Sequence, residues 1–317
     1  MLTFPGMSPS THATTPGPAR IRYGPAGWSY KDWEGPVYPK PAPKGFDPLV
    51  FMSRWFDTVE VDSTFYRPLA RSVARKWAQR VGGNPHFRFT AKLYRRFTHE
   101  RTTAWTSDEV HETRAGLEAL AEEGRLGAVL VQFPWSFRRT PESVEWLTDV
   151  LNAFRELPLV LEVRHISWDA PEVLEGLAAR GVGIVNIDQP LFKNSIGPTA
   201  RATSAVGYVR VHGRNYKDWF RKNAGRDARY DYLYTTEELA PWAERVKEIS
   251  AQPATKEVYV VTNNHFRGQA PANALMIQSL VEERPVEVPE TLLATFPDTL
   301  GPHAAQWEAG PPSHPSH

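Results

Sequence analysis

The chain contains no cysteine. That excludes disulfides, thiolate zinc sites, iron–sulfur clusters and a cysteine nucleophile. It also lacks any run of 18 apolar residues, the length a helix needs to cross a bilayer, so no membrane contact is expected. Charge of neither sign dominates. Lys and Arg total 37 against 36 Asp and Glu, leaving a formal net charge of +1. No global basic field therefore recruits nucleic acid, although a local contact is not excluded. Phosphate-binding glycine motifs are missing as well. GPAGW at 24–28 has no Lys-Ser/Thr of a P-loop, and no GxGxxG opens a helix after a strand. A Rossmann-type cofactor is excluded on that ground, and no cofactor is expected. No Ser sits in a GxSxG elbow. The start, MLTFPGMSPSTHATTPGPAR, has no basic region ahead of an apolar core, so no secretory leader and a cytoplasmic location are expected.

What the chain does have is alternation. Its 317 residues are 41% hydrophobic, enough for a sizeable core, and α/β barrels run this long as one domain. Eight short extended runs recur: IRYGPAGW (21–28), TVEVDSTFY (58–66), HFRFTAKL (86–93), GAVLVQF (127–133), LVLEVRH (159–165), GVGIVNID (181–188), GYVRVHG (207–213) and EVYVVTNN (257–264). Amphipathic helical patterns separate most of them. Asp47-Pro48 and Thr140-Pro141 mark helix starts, a capping side chain followed by proline. Thr235 or Thr236 opens another helix, and further patterns fit 71–81, 107–124, 170–180 and 270–284. The stretch 191–205 after the sixth run reads as loop. Eight strands alternating with helices predict an α/β fold, a single TIM-like (β/α)8 barrel. Its expected bounds are 20–290. Residues 1–19, rich in Pro, Ser and Thr, predict a disordered tail. Residues 291–317 predict a mostly irregular C-terminal extension.

Strand side chains alternate between two faces, and in a barrel one face meets the helices while the other meets the interior. On that rule Glu60 and Asp62 point inward from the second strand, Arg88, Thr90 and Lys92 from the third, and Gln132 from the fourth. Glu162 and Arg164 follow from the fifth, Asn186 and Asp188 from the sixth, Arg210 and His212 from the seventh, and Thr262 and Asn264 from the eighth. Unpaired charges in such an interior cost several kcal/mol each, so these groups pair or meet a ligand. Depth along the strands sorts them. Arg88, Glu60, Glu162 and Arg210 form an expected deeper ring of ion pairs. Asp62, Lys92, Arg164, Asp188, His212 and Asn264 lie nearer the C-terminal mouth, where barrel enzymes hold their sites.

Three chemistries fit this pattern. Glu60 and Glu162, from opposite sides, form a carboxylate pair suited to glycoside cleavage, but neighbouring Arg88, Arg164 and Arg210 depress both and disfavour a general acid. Glu162, Asp188 and His212, from consecutive strands, form a candidate divalent-metal trio. Lys92, Arg164, Arg210 and His212 form an anion site, for which Arg forks are suited. The loop 213–234 adds six positive and three negative residues, with glycines and aromatics that suit a closing lid. Trp28, Trp33, Tyr66, Trp135, Trp168 and Trp219 either stack on a substrate or cap the core.

The stretches GPAGWSYKDWEGPVYP (24–39), FDTVEVDSTFYRP (56–68), FRFTAKLYRRFTH (87–99), VLVQFPWSF (129–137), LEVRHISW (161–168), YVRVHGRN (208–215), YDYLY (230–234) and VVTNNHFRGQAPANAL (260–275) resemble the YecE-like family, domain of unknown function 72. The resemblance covers about 20–285 and departs from the pattern at Thr262, where Phe is usual. It implies a TIM-barrel-like fold and marks the strand ends as the site, but implies no reaction. The expected function is that of a hydrolase or lyase acting on a small polar anionic substrate, such as a sugar phosphate or nucleotide derivative. Glu60, Glu162 and His212 are its candidate catalytic residues. Trp28, Lys92, Gln132, Arg164, Asp188, Arg210 and Asn264 are its candidate binding residues. A metal-dependent nuclease or phosphoesterase, and a non-catalytic ligand or nucleic-acid binding protein, are the alternatives.

Overall fold

Helices begin where capping side chains stand. In the computed structural model, which describes residues 19–217, 221 and 230–305, Asp47 accepts from the backbone N–H of Leu49 and Val50 at 2.9 and 3.2 Å. These bonds satisfy donors that a helix start leaves open. Thr140 does the same for Ser143 at 3.2 Å. Thr235, rather than Thr236, forms a capping box with Glu238, and Thr106 forms one with Glu109.

The strands are β1 (Arg20–Pro25), β2 (Thr58–Val61), β3 (Arg88–Lys92), β4 (Leu126–Gln132), β5 (Leu159–Glu162), β6 (Gly183–Asp188), β7 (Val206–Val211) and β8 (Glu257–Thr262). They form one parallel sheet in the order β1-β8-β7-β6-β5-β4-β3-β2. The ends approach through the Ala26–Glu60 bridge and the Gly27 N–H to Glu60 carbonyl bond of 2.8 Å. This nearly closed barrel is a TIM-like (β/α)8 fold. Gly24 permits the approach, since a Cβ there would stand 1.8 Å from the Thr58 carbonyl oxygen.

The main covering helices are α1 (Pro48–Trp55), α2 (Arg71–Arg80), α3 (Arg95–Thr98), α4 (Ser107–Glu122), α5 (Pro141–Ala153), α6 (Pro171–Ala179), α7 (Thr236–Ser250) and α8 (Gln269–Glu282). No helix follows β6, where residues 189–205 run as turns and loop. Residues 291–305 differ from the irregular extension expected. Two short helices, α9 (Glu290–Thr295) and α10 (Pro297–Leu300), and a 3-10 turn at Gly301–His303 fill most of that stretch. Leu292 and Leu300 anchor it, both fully buried, and the Val286 N–H donates to the His303 carbonyl at 2.9 Å. Proline and glycine cut these helices too short for a 3.6-residue apolar pattern to develop. The tail expected at 1–19 lies outside the described residues except for Ala19. So do Asp218, Trp219, Phe220 and 222–229, the middle of the expected lid.

Two apolar layers result. The larger lies between strands and helices. The smaller fills the barrel itself and includes Ala128, Leu130, Val160, Val185, Ile187, Tyr208, Tyr259 and Val261.

Candidate functional site at the barrel mouth

Arg210 is the centre of the mouth's buried layer. It reaches inward from β7 and is fully buried together with Glu60, Glu162 and His212. Its Nε and Nη2 donate to the two Glu60 oxygens at 2.9 and 2.6 Å. Its Nη1 donates to Glu162 at 2.9 Å and to the Gln132 side-chain oxygen at 3.1 Å. Arg164, which follows β5, adds two bonds to Glu162 at 3.0 and 2.7 Å. The Tyr208 hydroxyl donates to Glu60 at 2.8 Å. Burial alone would raise the Glu162 carboxyl, but Arg210, His212 and Arg164 hold it well below its ordinary range.

His212 is turned the other way. Burial lowers its pKa to about 3, and Arg210 and Arg164 oppose a proton there while Glu162 favours one. The ring is therefore neutral at pH 7. Its Nε2 lies 3.2 Å from the Glu162 carboxylate, an acceptor, and 3.3 and 3.4 Å from the Arg164 and Arg210 guanidinium nitrogens; the nearer carboxylate, with an amide donor facing Nδ1, leads us to assign the proton to Nε2. Nδ1 then accepts from the Asn263 side-chain amide at 3.1 Å.

Above this layer opens a cavity of about 640 Å³ lined by Trp28, Tyr30, Asp62, Phe65, Tyr66, Lys92, His99, Gln132, Tyr230, Asn263 and His265, among others. Lys92 pairs with Asp62 at 2.6 Å and approaches Glu60 at 3.9 Å. Burial disfavours the Lys92 charge, but Asp62 and Glu60 outweigh it and raise its pKa. Asp62 is lowered, burial notwithstanding, by Lys92 and Arg210. The Tyr30 hydroxyl donates to Asp62 at 3.3 Å, and the Tyr30 ring stacks on His265 at 4.5 Å. His99 sits at the opposite edge, its Nδ1 2.9 Å from the Thr98 hydroxyl. Burial lowers its pKa to about 4, helped by Arg164, Lys92, Arg101 and Arg95.

Several sequence expectations need correction. Asp188 does not face the mouth. Val185 and Ile187 point into the barrel instead, and Asp188 accepts from Arg214 Nε at 2.9 Å, Trp242 Nε1 at 3.1 Å and the Tyr234 hydroxyl. Asn186 likewise faces outward, holding Arg201 and Thr199. Asn186 serves the loop that stands in place of a helix after β6, bonding the Arg201 backbone, whereas the partners of Asp188 are side chains from beyond β7. The trio Glu162, Asp188 and His212 is thereby dispersed, and the described residues hold no group of three or more His, Asp or Glu placed for a metal. On β8 the parity is also reversed. Thr262 bonds the Ala270 carbonyl at 2.8 Å and Asn264 bonds Asn273 at 2.8 Å, both toward α8, while Asn263 faces the cavity. Arg88 leaves the deeper ring. It pairs in register with Thr58, two residues before Glu60, and donates to the Pro85 and Phe87 carbonyls.

The carboxylate pair is closed off too, since Arg210 bridges Glu60 and Glu162. Trp28 lines the cavity, yet its ring packs on Trp77 and Phe89 at 5.1 and 6.2 Å. Trp33 and Trp168 are buried core, and Tyr66 is exposed. Sequence reasoning thus brought Trp28, Lys92 and Gln132 to the cavity. It placed Arg210, Glu60 and Glu162 in the layer beneath, where the structure also puts His212, expected nearer the mouth, and it passed over Tyr30, His99, Tyr230 and Asn263. All four lie in the quoted family stretches, in segments that follow strand ends.

A family profile described as "Protein of unknown function DUF72" matches residues 22–298. The UPF0759 protein YunF of Bacillus subtilis (strain 168) is 29% identical over 275 residues, 83% of this chain and 95% of that protein. Crystal structures of two DUF72 family proteins superpose with a TM-score of 0.70. One, from Thermotoga maritima MSB8, is 32% identical, with 83% of this chain and 99% of that one covered. The other, from Enterococcus faecalis V583, is 26% identical over 85% and 100%.

Proposed function

The chain belongs to the DUF72 family, and from that premise we propose that it is an enzyme, a hydrolase or lyase, acting on a small polar anionic substrate in the mouth cavity. Fold and family name no reaction, so the argument rests on the site. The carrying observation is a charge imbalance. Lys92, Arg101, Arg164 and Arg210 gather against three carboxylates, Glu60, Asp62 and Glu162. Arg101 has no acidic partner among the described residues. It lies over the Phe137 ring at 4.6 Å, with its Nε buried and unbonded. An anionic group beside His99 would supply the missing charge.

In this reading Lys92 and Arg101 hold the anion, and neutral His99 takes the proton-transfer role first assigned to Glu60 or His212. Those two are sealed beneath the floor, whereas His99 lines the cavity. The test is calorimetric titration of inorganic phosphate and ribose 5-phosphate into the wild type and Lys92→Met. Removing a charged hydrogen-bond donor costs about 1.5–3 kcal/mol, so affinity should fall roughly ten- to hundredfold. The unfolding midpoint of the variant controls for the unpaired Asp62. Failure of both anions to bind at millimolar concentration refutes the reading. Binding with no turnover of any bound phosphoester would leave a binding protein in place of an enzyme.

A further inference from the structure

The cavity floor carries two amide side chains of fixed polarity. Gln132 accepts from Arg210 through its oxygen, and a guanidinium only donates, so the Gln132 NH2 is turned away from the ion layer. Asn263 donates its NH2 to His212, which leaves its oxygen turned away. Neither the Gln132 nitrogen nor the Asn263 oxygen has a partner among the described residues, neither is a sealed polar atom, and both side chains line the cavity. One donor and one acceptor thus line the same cavity. Gln132 rests on Arg210 and Asn263 on His212, and those two holders stand side by side, their nitrogens 3.4 Å apart.

Resting on the anionic reading above, we infer that the ligand is a nucleoside phosphate, its base edge read by Gln132 and Asn263. A nucleobase presents an acceptor next to a donor on one rigid edge, and Gln132 and Asn263 offer one group of each matching kind. Sugar hydroxyls rotate and serve as either partner, so they would not require two amides locked by a buried ion network. Phe65, Tyr66 and Tyr230 supply aromatic rings to the lining, which suits a flat base. The Phe65 ring lies 6.0 Å from Lys92 and 4.8 Å from His99, which places the cationic edge beside the aromatic wall, as a phosphate attached to a base would need. The volume of about 640 Å³ lies within the range of small-molecule sites.

The four common ribonucleoside 5′-monophosphates and ribose 5-phosphate are titrated calorimetrically into the full chain. At least one nucleotide should bind roughly ten- to hundredfold tighter than ribose 5-phosphate, the effect of satisfying two otherwise unpaired polar groups. Methylating the ring nitrogen of that base should erase the gain. Gln132→Glu keeps the acceptor for Arg210 but replaces the donor, so the ratio of the two affinities should fall toward one. If ribose 5-phosphate binds as well as every nucleotide, or ring methylation changes nothing, the base-reading inference is overturned while the anion site stands. If no phosphate compound binds, both fall.

Discussion

Replacing Arg210 by methionine removes the one group among the described residues that bonds both Glu60 and Glu162. Glu60 then loses bonds of 2.9 and 2.6 Å and keeps the Tyr208 hydroxyl at 2.8 Å, with Lys92 only at 3.9 Å. Glu162 loses 2.9 Å of contact to Arg210 but keeps two bonds from Arg164 and the 3.2 Å approach of His212. The damage is therefore concentrated on Glu60. Breaking a buried pair from one side costs about 3–5 kcal/mol, a large share of the roughly 5–15 kcal/mol of a typical domain. Urea unfolding followed by circular dichroism should show the loss as a shifted midpoint with an unchanged slope. Adding Glu60→Gln to Arg210→Met removes the orphaned charge. The double variant should recover about 2 kcal/mol relative to the sum of the singles, which a double-mutant cycle reads directly. A loss below about 1 kcal/mol for Arg210→Met, or strict additivity with Glu60→Gln, would refute the account of this layer as a coupled ion network.

Acid should destabilise the protein well above the ordinary carboxylate range. His212 and His99 have folded pKa values near 3 and 4 against 6.5 unfolded. Between those limits the unfolded chain binds more protons, so stability is present above about pH 6.5 and lost as pH falls. Glu162, depressed below 4.5, continues the loss at lower pH. His212→Gln should flatten the fall in unfolding free energy between pH 7 and 5, and a wild type indifferent to pH there would contradict the burial assigned to the ring. Asp188→Asn should cost about 2–3 kcal/mol, because Arg214, Tyr234 and Trp242 all lean on that carboxylate. It should leave phosphate affinity at the mouth within about twofold, whereas a site that used Asp188 would lose binding in a folded variant.

Sequence alone determined the architecture. Period-two alternation along the strands, proline-marked caps at Asp47 and Thr140, and eight evenly spread strands are local properties, legible without knowing what lies opposite. It also determined that β2, β3, β4, β5 and β7 send Glu60, Lys92, Gln132, Glu162 and Arg210 inward, because their outward neighbours are apolar. Tertiary structure decided the rest. Asp188 on β6 turns outward to Arg214, Tyr234 and Trp242, all far later in the chain, and nothing local in GIVNID encodes those partners. TNN at 262–264 offers polar groups on either face, and the buried start of α8 claims Thr262 and Asn264, leaving Asn263 for the mouth. The cavity itself joins residues from Tyr30 to His265, brought together by closure of the barrel. Which carboxylate meets which guanidinium depends on side chains up to 150 positions apart, and no local pattern encodes that distance.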